Sequence, residues 1–549
     1  MGDCNRTEVS GEGEELRKIS MKAGWLPVAT MTLAVAICGA HAAESAARPV
    51  FNILDYGAKN DGSANAADAF TAAIAAAKKA GGGTVFVPAG HYLSGPIEMV
   101  SNLTLDFDAG AMVEFPATML PFTPGRQQGV ETLTPVPLIG GHDLENVAVV
   151  GRGVLMSSNA DWMKLHGRQQ ASGDDPGTAN GPHWEQLLND LNAGKAIPDE
   201  EYKEVAAELR PSFVRFMDSK NILVSGLRFI GSPMWTVHLL YSENATVENL
   251  VIETYPGVHT DGIVVDSSRF VRIANDYIDT GDDGIVIKSG KDADGLRVNR
   301  PTEDVTITNC TVHHAHGAVT IGSETSGSVR NIVASNITAV DTENGARIKS
   351  ARGRGGVVEN VRFDNWTMEN VGEAIVVTNY YLMEGETRRG EEPVSKTTPV
   401  FRNIAMSHMT IDGAKRLIDV EGLPEMPIKG LHISDVIGTG KAGMTAIYTD
   451  DLELHDVQLN PVSGPAFGVK HASNLELDDV AESQPVGQTP VIRMEDTAGA
   501  VVRDCRAFSG TGVFLSTRKG ELQKIVLEGN ALAEAAVATQ ELEPDGGPN

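Results

Sequence analysis

The chain has 549 residues, of which 41% are hydrophobic and only 5% aromatic, and it contains 58 glycines. This composition suits a large core of small side chains with many tight turns, and no Pro- or Ser-rich linker divides the sequence after about residue 50, so we expect one long β-rich domain. The formal net charge of −28, from 45 basic and 73 acidic residues, excludes nucleic acid as a partner, because phosphate binding requires a basic surface.

Residues 1–42 are predicted to be an upstream extension followed by a secretory signal peptide. An apolar run from Trp25 to Gly39 follows Lys22 and precedes Ala40-His41-Ala42, a small-x-small cleavage motif. We therefore expect translation to start at Met21 and the mature protein, secreted or periplasmic, to begin near Ala43. The run is short for a membrane span and no other stretch competes with it, so we expect no span in the mature chain.

A helix is predicted from Ala66 to Ala80. Phe70 and Ile74 lie one turn apart in an alanine-rich background, and the stretch stops at Gly81-Gly82-Gly83. The terminal coil of a solenoid exposes apolar side chains and strand edges, which an amphipathic helix at this position would cover. The prediction is therefore an N-terminal capping helix.

Short strands recur through the rest of the chain. An Asn, Asp or Gly followed by alternating apolar residues returns every 21 to 23 residues, with longer intervals where loops such as 288–300 and 380–398 bulge out. The Leu-x-x-Leu-x-Leu frame of leucine-rich repeats is absent. The pattern predicts an all-β fold, a β-solenoid whose coils bury their inward side chains against one another. The repeats begin at Asn221-Ile222, Asn244-Ala245, Asp304-Val305, Asn331-Ile332, Asn360-Val361, Asn403-Ile404, Gly430-Leu431, Asp451-Leu452 and Asn474-Leu475.

A charged helical insertion, roughly Trp184 to Leu209, interrupts the coils. It is interpreted either as surface decoration or as a wall of a cleft. The domain is predicted to span residues 43–535, and residues 536–549 are expected to form a disordered tail. Cys310 and Cys505 remain after signal cleavage, too few for a disulfide scaffold, so both are interpreted as buried thiols, although a bridge between them stays open.

Four polar blocks adjoin short apolar runs such as Ile285-Val286-Ile287, and a coiled stack of strands would bring them together. Three carboxylates, an imidazole and a cationic pair suit the hydrolysis of an acidic sugar, in which one carboxylic acid protonates the leaving oxygen and a carboxylate activates water. Crowding of like charges raises the pKa of at least one carboxyl group, which keeps a proton available. The blocks are His259-Thr260-Asp261-Gly262, Gly281-Asp282-Asp283-Gly284, His316-Gly317 and Arg347-Ile348-Lys349.

These blocks, in this order, resemble the polygalacturonases of glycoside hydrolase family 28. The similar segments lie within residues 50–480 and include FNILDYGAKNDG, HTDGIVVDSS, TGDDGIVIKSG, HGAVTIGSE and ARIKSARGRGG. The segments KSGKDADGLRVNRP, SPMWTVH and VEGLPEMPI are similar to bacterial members, many of them exo-acting. The resemblance implies a right-handed parallel β-helix and inverting hydrolysis of α-1,4-linked galacturonan in pectin, with no metal or organic cofactor.

The resemblance also implies roles for the acidic residues. By motif, Asp282 is similar to the general acid, and Asp261 and Asp283 to the pair that activates water. An isolated pair of aspartates beside glycine would instead be interpreted as a turn cap, but the other blocks favour catalysis. His316 is expected to tune or orient the acid, whereas a histidine near glycine in a strand-rich protein is more often structural.

Arg347 and Lys349 alternate along a strand, so both side chains are predicted to point to one face, where an arginine fork and a lysine point charge suit a sugar carboxylate. Tyr380 or Tyr381 is a candidate for stacking on a sugar ring. Two nearby arginines are interpreted mainly as parts of a solvated loop, with extension of the cationic patch as the alternative: Arg352 and Arg354.

The chain departs from the family pattern at two positions: His259 replaces an Asn, and Ala315 replaces a Gly. The chemistry is kept, His259 stays a candidate substrate-binding residue, and a rhamnogalacturonan linkage stays open. The insertion at 167–209 and the loop at 288–301 favour exo action, because either would close one end of a groove. Rival functions are a calcium-dependent pectate lyase, a non-catalytic polysaccharide-binding solenoid and a purely structural solenoid. We expect a monomer.

Overall fold

The computed structural model describes residues 48–167, 181–381 and 390–543, so the predicted extension and signal peptide lie outside the described residues. None of the helices in these ranges is long and apolar enough to span a bilayer. The described helices are α1 (Ala67–Lys79), α2 (Asn159–Leu165), α3 (Pro182–Asn192), α4 (Asp199–Ala206) and α5 (Asp292–Val298).

Strands dominate the described chain, and almost all belong to one parallel sheet that coils on itself. The first twenty are β1 (Val50–Asn52), β2 (Asp61–Asn65), β3 (Gly83–Val87), β4 (Gly90–Leu93), β5 (Ile97–Glu98), β6 (Leu103–Phe107), β7 (Ala111–Glu114), β8 (Phe122–Gln127), β9 (Val130–Pro135), β10 (Ile139–His142), β11 (Glu145–Gly151), β12 (Val154–Met156), β13 (Val214–Met217), β14 (Lys220–Ser225), β15 (Arg228–Ile230), β16 (Val237–Leu240), β17 (Glu243–Glu248), β18 (Val251–Glu253), β19 (Ile263–Asp266) and β20 (Arg269–Ala274). The others are β21 (Tyr277–Asp279), β22 (Ile285–Lys288), β23 (Thr302–His313), β24 (Val319–Ile321), β25 (Val329–Val340), β26 (Asn344–Lys349), β27 (Val357–Glu369), β28 (Glu373–Thr378), β29 (Val400–Glu421), β30 (Ile428–Ala481), β31 (Pro490–Ala498), β32 (Ala500–Arg503), β33 (Val513–Arg518), β34 (Ile525–Glu528) and β35 (Val537–Leu542).

The core is a set of apolar columns that run along the stack of coils. In one column, Val147, Ile222, Ala245, Val271 and Val305 are opposite one another on successive coils, and all five are buried. Alternation within each strand sends these side chains inward and their polar neighbours outward. The predicted right-handed parallel β-helix is confirmed.

The Asn and Asp residues that begin the repeats occupy turns. Asn221 and Asn244 have left-handed backbone conformations, with φ of 56° at each, which Asn tolerates better than most residues. The Asn244 side-chain amide donates to the Asn221 side-chain oxygen at 2.7 Å, and Asn221 donates to Asn146 at 2.9 Å. A ladder of amide hydrogen bonds therefore links the turns of successive coils.

Helix α1 confirms the predicted helix to within one residue at each end. Phe70 and Ile74 are buried as the periodicity indicated, and the helix contacts β1 and β3 of the first coils. Its role as a cap over the open end of the stack stays a prediction.

The C-terminal region differs from expectation. The predicted disordered tail from residue 536 is wrong for Val537–Leu542, which forms β35 and pairs in parallel with β33. Most side chains of β35 are exposed, so its sequence lacks the apolar alternation that would have predicted a strand. Backbone hydrogen bonds, such as that from Val537 N–H to the Gly512 carbonyl, hold the strand in place. Cys310 and Cys505 are both buried free thiols, as predicted.

A hairpin, which the sequence did not predict, lies outside the coils. Strands β8 and β9 pair antiparallel, and the helical insertion packs on them as α3 and α4. Val130 of the hairpin shares an apolar cluster with Trp184, Leu187, Val205 and Leu209. The inserted helices are thus tied to the hairpin by their own small core.

A buried ion pair fastens the hairpin to the coils. Arg126 donates to the Asp266 carboxylate at 2.7 Å, with both side chains fully buried, and also to the Ser267 hydroxyl. Burial alone would raise the pKa of Asp266, but Arg126 and His238 lower it to about 2. The guanidinium of Arg126 also lies 4.7 Å from the centroid of the Tyr241 ring.

We predict that Arg126→Met lowers the free energy of unfolding by about 3–5 kcal/mol, because it leaves the Asp266 charge buried without its main partner. Arg269→Met is the matched control, since Arg269 pairs with Glu243 on the surface and is half exposed; its expected cost is about 0–1 kcal/mol. Chemical denaturation monitored by circular dichroism measures both. Equal effects of the two substitutions would contradict the prediction.

Candidate active site

The outer face of one sheet of the β-helix carries the candidate residues. Asp261 and Asp283 each stand two residues before the strands β19 and β22, which are paired from their first residues. His316 precedes the neighbouring β24, in which Thr320 lies opposite Arg347 of β26. Strand register therefore brings together the four blocks that are separated in sequence.

The three aspartates of the blocks form one cluster. Carboxylate oxygens of Asp261, Asp282 and Asp283 lie within 4.8 Å of one another. Tight turns make this approach possible, because a Cβ atom on Gly281 would stand 2.2 Å from the Gly257 carbonyl oxygen. The glycines beside the acids are thus explained by close backbone packing.

Asp283 is held through both of its oxygens. Lys349 donates to Oδ2 at 3.0 Å, and the Thr320 hydroxyl donates to Oδ1 at 2.9 Å. Asp283 and Lys349 are both buried. This carboxylate is therefore fixed in orientation and neutralised by a single cation.

Asp282 pairs with His316, whose Nδ1 lies 3.3 Å from Oδ1 of the carboxylate. Burial would raise the pKa of Asp282, but the hydrogen bond from His316 and its charge hold it well below the usual range. Burial would likewise lower the pKa of His316, but Asp282 and then Glu343 raise it to about 9. At neutral pH the pair is therefore an imidazolium and a carboxylate.

Asp261 has the weakest cationic partner of the three. Burial and then the neighbouring Asp282 raise its pKa well above the usual value. The ammonium of Lys288 lies 3.5 Å from Asp261 but donates to Glu324 at 2.8 Å. Between Asp261 and Asp282, it is therefore Asp261 that retains a proton more readily in the free enzyme.

His259 lies at one end of this cluster, under the tip of the hairpin. Its Nδ1 is 3.4 Å from an Arg210 guanidinium nitrogen, and its Nε2 is 3.5 Å from the side-chain amide of Gln128. Burial, followed by the charge of Arg210, lowers the pKa of His259 to about 4, so the imidazole is neutral at neutral pH.

The two tyrosine candidates occupy different surroundings. The ring centroid of Tyr381 lies 5.4 Å from the guanidinium carbon of Arg347 and 4.9 Å from the ammonium of Lys349, which places Tyr381 beside the cluster. Tyr380 lies instead 5.5 Å from Arg352. Only Tyr381 is thus next to the predicted cationic pair.

The interpretation of Arg352 and Arg354 as residues of a solvated loop is wrong. Arg352 donates to Glu425 at 2.7 and 2.8 Å, and Arg354 is ion-paired with Asp292 of α5. Both side chains are largely buried, because these contacts fasten the loop after β26 to neighbouring segments.

The residues at the site that were missed from the sequence include Lys288, Glu324 and Gln128, besides Thr320 and Arg210. Lys288 carried a signal, since Val286 and Lys288 alternate along β22 just as Arg347 and Lys349 do along β26. Glu324 lies in the turn after β24 and Gln128 at the tip of the unpredicted hairpin, so neither had a periodic context.

The charges around the cluster bear on the metal-dependent alternative. Lys288, Lys349 and His316 each lie within hydrogen-bond or ion-pair distance of one of the aspartates. Side-chain cations therefore neutralise the charge that calcium would neutralise in a lyase, and this donor set favours a metal-free site.

A right-handed parallel β-helix that carries a carboxylate cluster with adjacent cations is the arrangement to compare with known proteins. The model of glycosyl hydrolases family 28 matches residues 197–449, and that of rhamnogalacturonase A/epimerase, pectate lyase-like, matches residues 50–137. The chain belongs to glycosyl hydrolase family 28 and is a glycoside hydrolase.

Similar proteins include several that are named for their substrate. A hyperthermoactive exopolygalacturonase from Thermotoga maritima is 33% identical with a TM-score of 0.64, and the match covers 72% of this chain and 90% of that one. A probable polygalacturonase from Vitis vinifera is 28% identical over 73% of this chain and 74% of its own. An exo-poly-alpha-D-galacturonosidase from Dickeya chrysanthemi is 24% identical over 68% of this chain and 64% of its own.

Proposed function

We propose that this enzyme hydrolyses α-1,4-galacturonosidic bonds in pectin or polygalacturonate from a chain end, with inversion at the anomeric carbon. The observation that carries the proposal is the cluster of Asp261, Asp282 and Asp283 next to the cationic pair Arg347 and Lys349. The names of the similar proteins point to the same substrate.

The negative charge of the substrate is matched by cations next to the carboxylate cluster. Among the residues that the structure describes, Arg347 forms no ion pair, and its guanidinium faces the Tyr381 ring. A guanidinium of this kind suits a bidentate contact with a sugar carboxylate. The local cations thus offset the repulsion that a net charge of −28 imposes on a polyanion.

The roles of the acids follow from their partners. Asp282 is the most accessible of the three carboxylates and is proposed to protonate the leaving oxygen. Asp261 and Asp283 are proposed to position and deprotonate the attacking water. The reactive arrangement needs the proton on Asp282, whereas in the free enzyme Asp261 holds it more readily. The two arrangements contain the same number of protons.

The spacing of the carboxylates alone would favour retention of configuration, whereas the proposed mechanism is inversion. Carboxyl groups about 6.5–9.5 Å apart are usual for inversion and about 5–5.5 Å for retention, and here oxygens lie within 4.8 Å. We give more weight to the partners of Asp283, because Lys349 and Thr320 engage both of its oxygens. Because both of its oxygens are engaged, Asp283 is proposed to orient water and not to attack the sugar.

Exo action is supported by the hairpin, which covers the sheet face on one side of the cluster. Thr134 accepts a hydrogen bond from Arg215 at 2.7 Å, Arg126 is anchored to Asp266, and the Gly129 carbonyl accepts from Lys291 N–H at 2.8 Å. A polymer lying along this face therefore ends at the hairpin tip. The helices α3 and α4 act as the outer support of this barrier.

Closure of this end also involves the loop that the sequence analysis singled out at 288–301. Its helix α5 carries Asp292, which accepts from Asn192 of α3 at 3.4 Å and pairs with Arg354. The insertion, the loop and the segment after β26 thus form one connected wall.

Export as a monomer, through the signal peptide predicted before Ala43, is part of the same proposal.

We predict that the first products released from polygalacturonate are monomers or dimers, because the barrier leaves room for few sugar units beyond the scissile bond. Chromatography of a product time course measures this. A descending ladder of oligomers with rapid loss of viscosity would contradict exo action. Unsaturated, ultraviolet-absorbing products would identify a lyase, and turnover of rhamnogalacturonan alone would identify the alternative linkage.

We predict that Asp282→Asn lowers turnover by about 10²–10⁴-fold, because the amide cannot donate the proton. Asp279→Asn is the matched control, since Asp279 also pairs with a histidine, His314, at 2.9 Å. Substrate binding and the melting temperature of both variants are measured alongside turnover. A folded Asp282→Asn enzyme with near-parental turnover would reassign this aspartate to turn capping.

A further inference from the structure

A buried ion pair lies directly beside the carboxylate cluster. The ammonium of Lys288 donates to Glu324 at 2.8 Å, and both side chains are more than nine-tenths buried. The same ammonium lies 3.5 Å from Asp261 and 4.9 Å from the centroid of the Trp235 ring. The ammonium of Lys288 therefore lies between the carboxylates of Glu324 and Asp261, and it is closer to Glu324.

The carboxyl groups of Asp261, Asp282, Asp283 and Glu324 outnumber the cations that pair with them. Asp283 has Lys349 at 3.0 Å, Asp282 has His316 at 3.3 Å, and Glu324 has Lys288 at 2.8 Å. After these pairings one carboxyl group is left without a cation of its own. That group is Asp261, and a proton is the remaining way to neutralise it in a buried site.

Glu324 is held by a backbone hydrogen bond and by the hairpin. The Glu324 carbonyl accepts from Ser289 N–H at 2.7 Å, and the hairpin packs on the side chain, since a Cβ atom on Gly129 would stand 2.8 Å from its Cγ. Lys288 has a flexible stem, and its ammonium differs by less than 1 Å in its distances to the two carboxylates. A small movement of Lys288 is thus enough to change its partner.

We propose that Lys288 is a positioning residue shared between Glu324 and Asp261, and that its shift toward Asp261 converts the resting arrangement of the cluster into the reactive one. In the resting arrangement the proton lies on Asp261; in the reactive arrangement it lies on Asp282. The O–H bond on Asp261 breaks and an O–H bond forms on Asp282, directly or through one water molecule, with no change in net charge. The inference rests on the proposed function, because it supplies the protonation states that the proposed roles require.

The pH dependence of this step involves every charged group around Asp261. Lys288 faces it from β22 and Glu324 from the turn after β24, and Lys349 of β26 lies on Asp283 beside it. The groups are Asp282, Asp283, Lys288, Glu324, Lys349, His316 and His259.

The test is the pH profile of kcat/KM on polygalacturonate for Glu324→Gln and Lys288→Met, because this profile reports ionisations of the free enzyme. Glu324→Gln leaves the Lys288 charge to Asp261, so both limbs of the profile are expected to move to lower pH by about one unit. Lys288→Met removes the charge, so both limbs are expected to move to higher pH by about 1–3 units. In Lys288→Met, kcat is expected to fall with little change in KM.

Glu303→Gln is the control, because this substitution removes the same charge from a glutamate that pairs with Arg330 away from the cluster. The pH profile of this variant is expected to match that of the parent enzyme. The inference would be overturned if both test variants lost activity while the limbs of their pH profiles stayed at the parental pH. It would also be overturned if the limbs of both profiles moved in the same direction. If Lys288→Met or Glu324→Gln is unfolded by circular dichroism, the double variant Lys288→Met/Glu324→Gln, which leaves no unpaired buried charge, decides. Its profile is expected to follow Lys288→Met, and a parental profile would overturn the inference.

The parent enzyme separates this inference from the proposed function. If the parent does not hydrolyse polygalacturonate, the proposed function is wrong and the inference falls with it. If the parent hydrolyses polygalacturonate but the two variants fail to shift in opposite directions, only the role of Lys288 is wrong.

Discussion

Strand register in the parallel stack is the constraint on which the site depends. Because β19, β22, β24 and β26 pair residue for residue, outward positions on these neighbouring strands form rows at fixed separation. The pairing of β19, β22, β24 and β26 sets Asp261 beside Asp283 and Thr320 beside Arg347. The apolar columns inside the coils hold that register, so core packing and site geometry share one cause.

Burial then decides the charge state of the cluster. Carboxylates that leave water need a cation, a hydrogen-bond donor or a proton, and the coils supply these unequally to the three aspartates. Lys349 serves Asp283, His316 serves Asp282, and Asp261 is left with a share of Lys288. A site with one proton to distribute among unequal acids is suited to acid and base catalysis by the same cluster.

The sequence predicted what local patterns encode. The repeats, helix α1 and the four blocks each occupy a short stretch, and residues of the four blocks lie together in the structure as expected. The hairpin escaped prediction because Arg126 finds its partner 140 residues away and the FTPGRQ strand lacks apolar alternation. Glu324 escaped because a turn residue becomes relevant only when register places it beside Lys288, 36 residues earlier. Strand β35 escaped because backbone hydrogen bonds, rather than buried side chains, hold it.

The central claim is that the aspartate cluster hydrolyses the glycosidic bond with inversion at the anomeric carbon. The anomer of the first product tests this claim most directly. Proton nuclear magnetic resonance, recorded at high enzyme concentration on α-linked oligogalacturonide, follows the anomeric signals before mutarotation equilibrates them. Water positioned by Asp261 and Asp283 opposite the leaving group predicts that the β-anomer appears first. An α-anomer as the first product would show retention, and would mean that one of these carboxylates attacks the sugar instead of activating water.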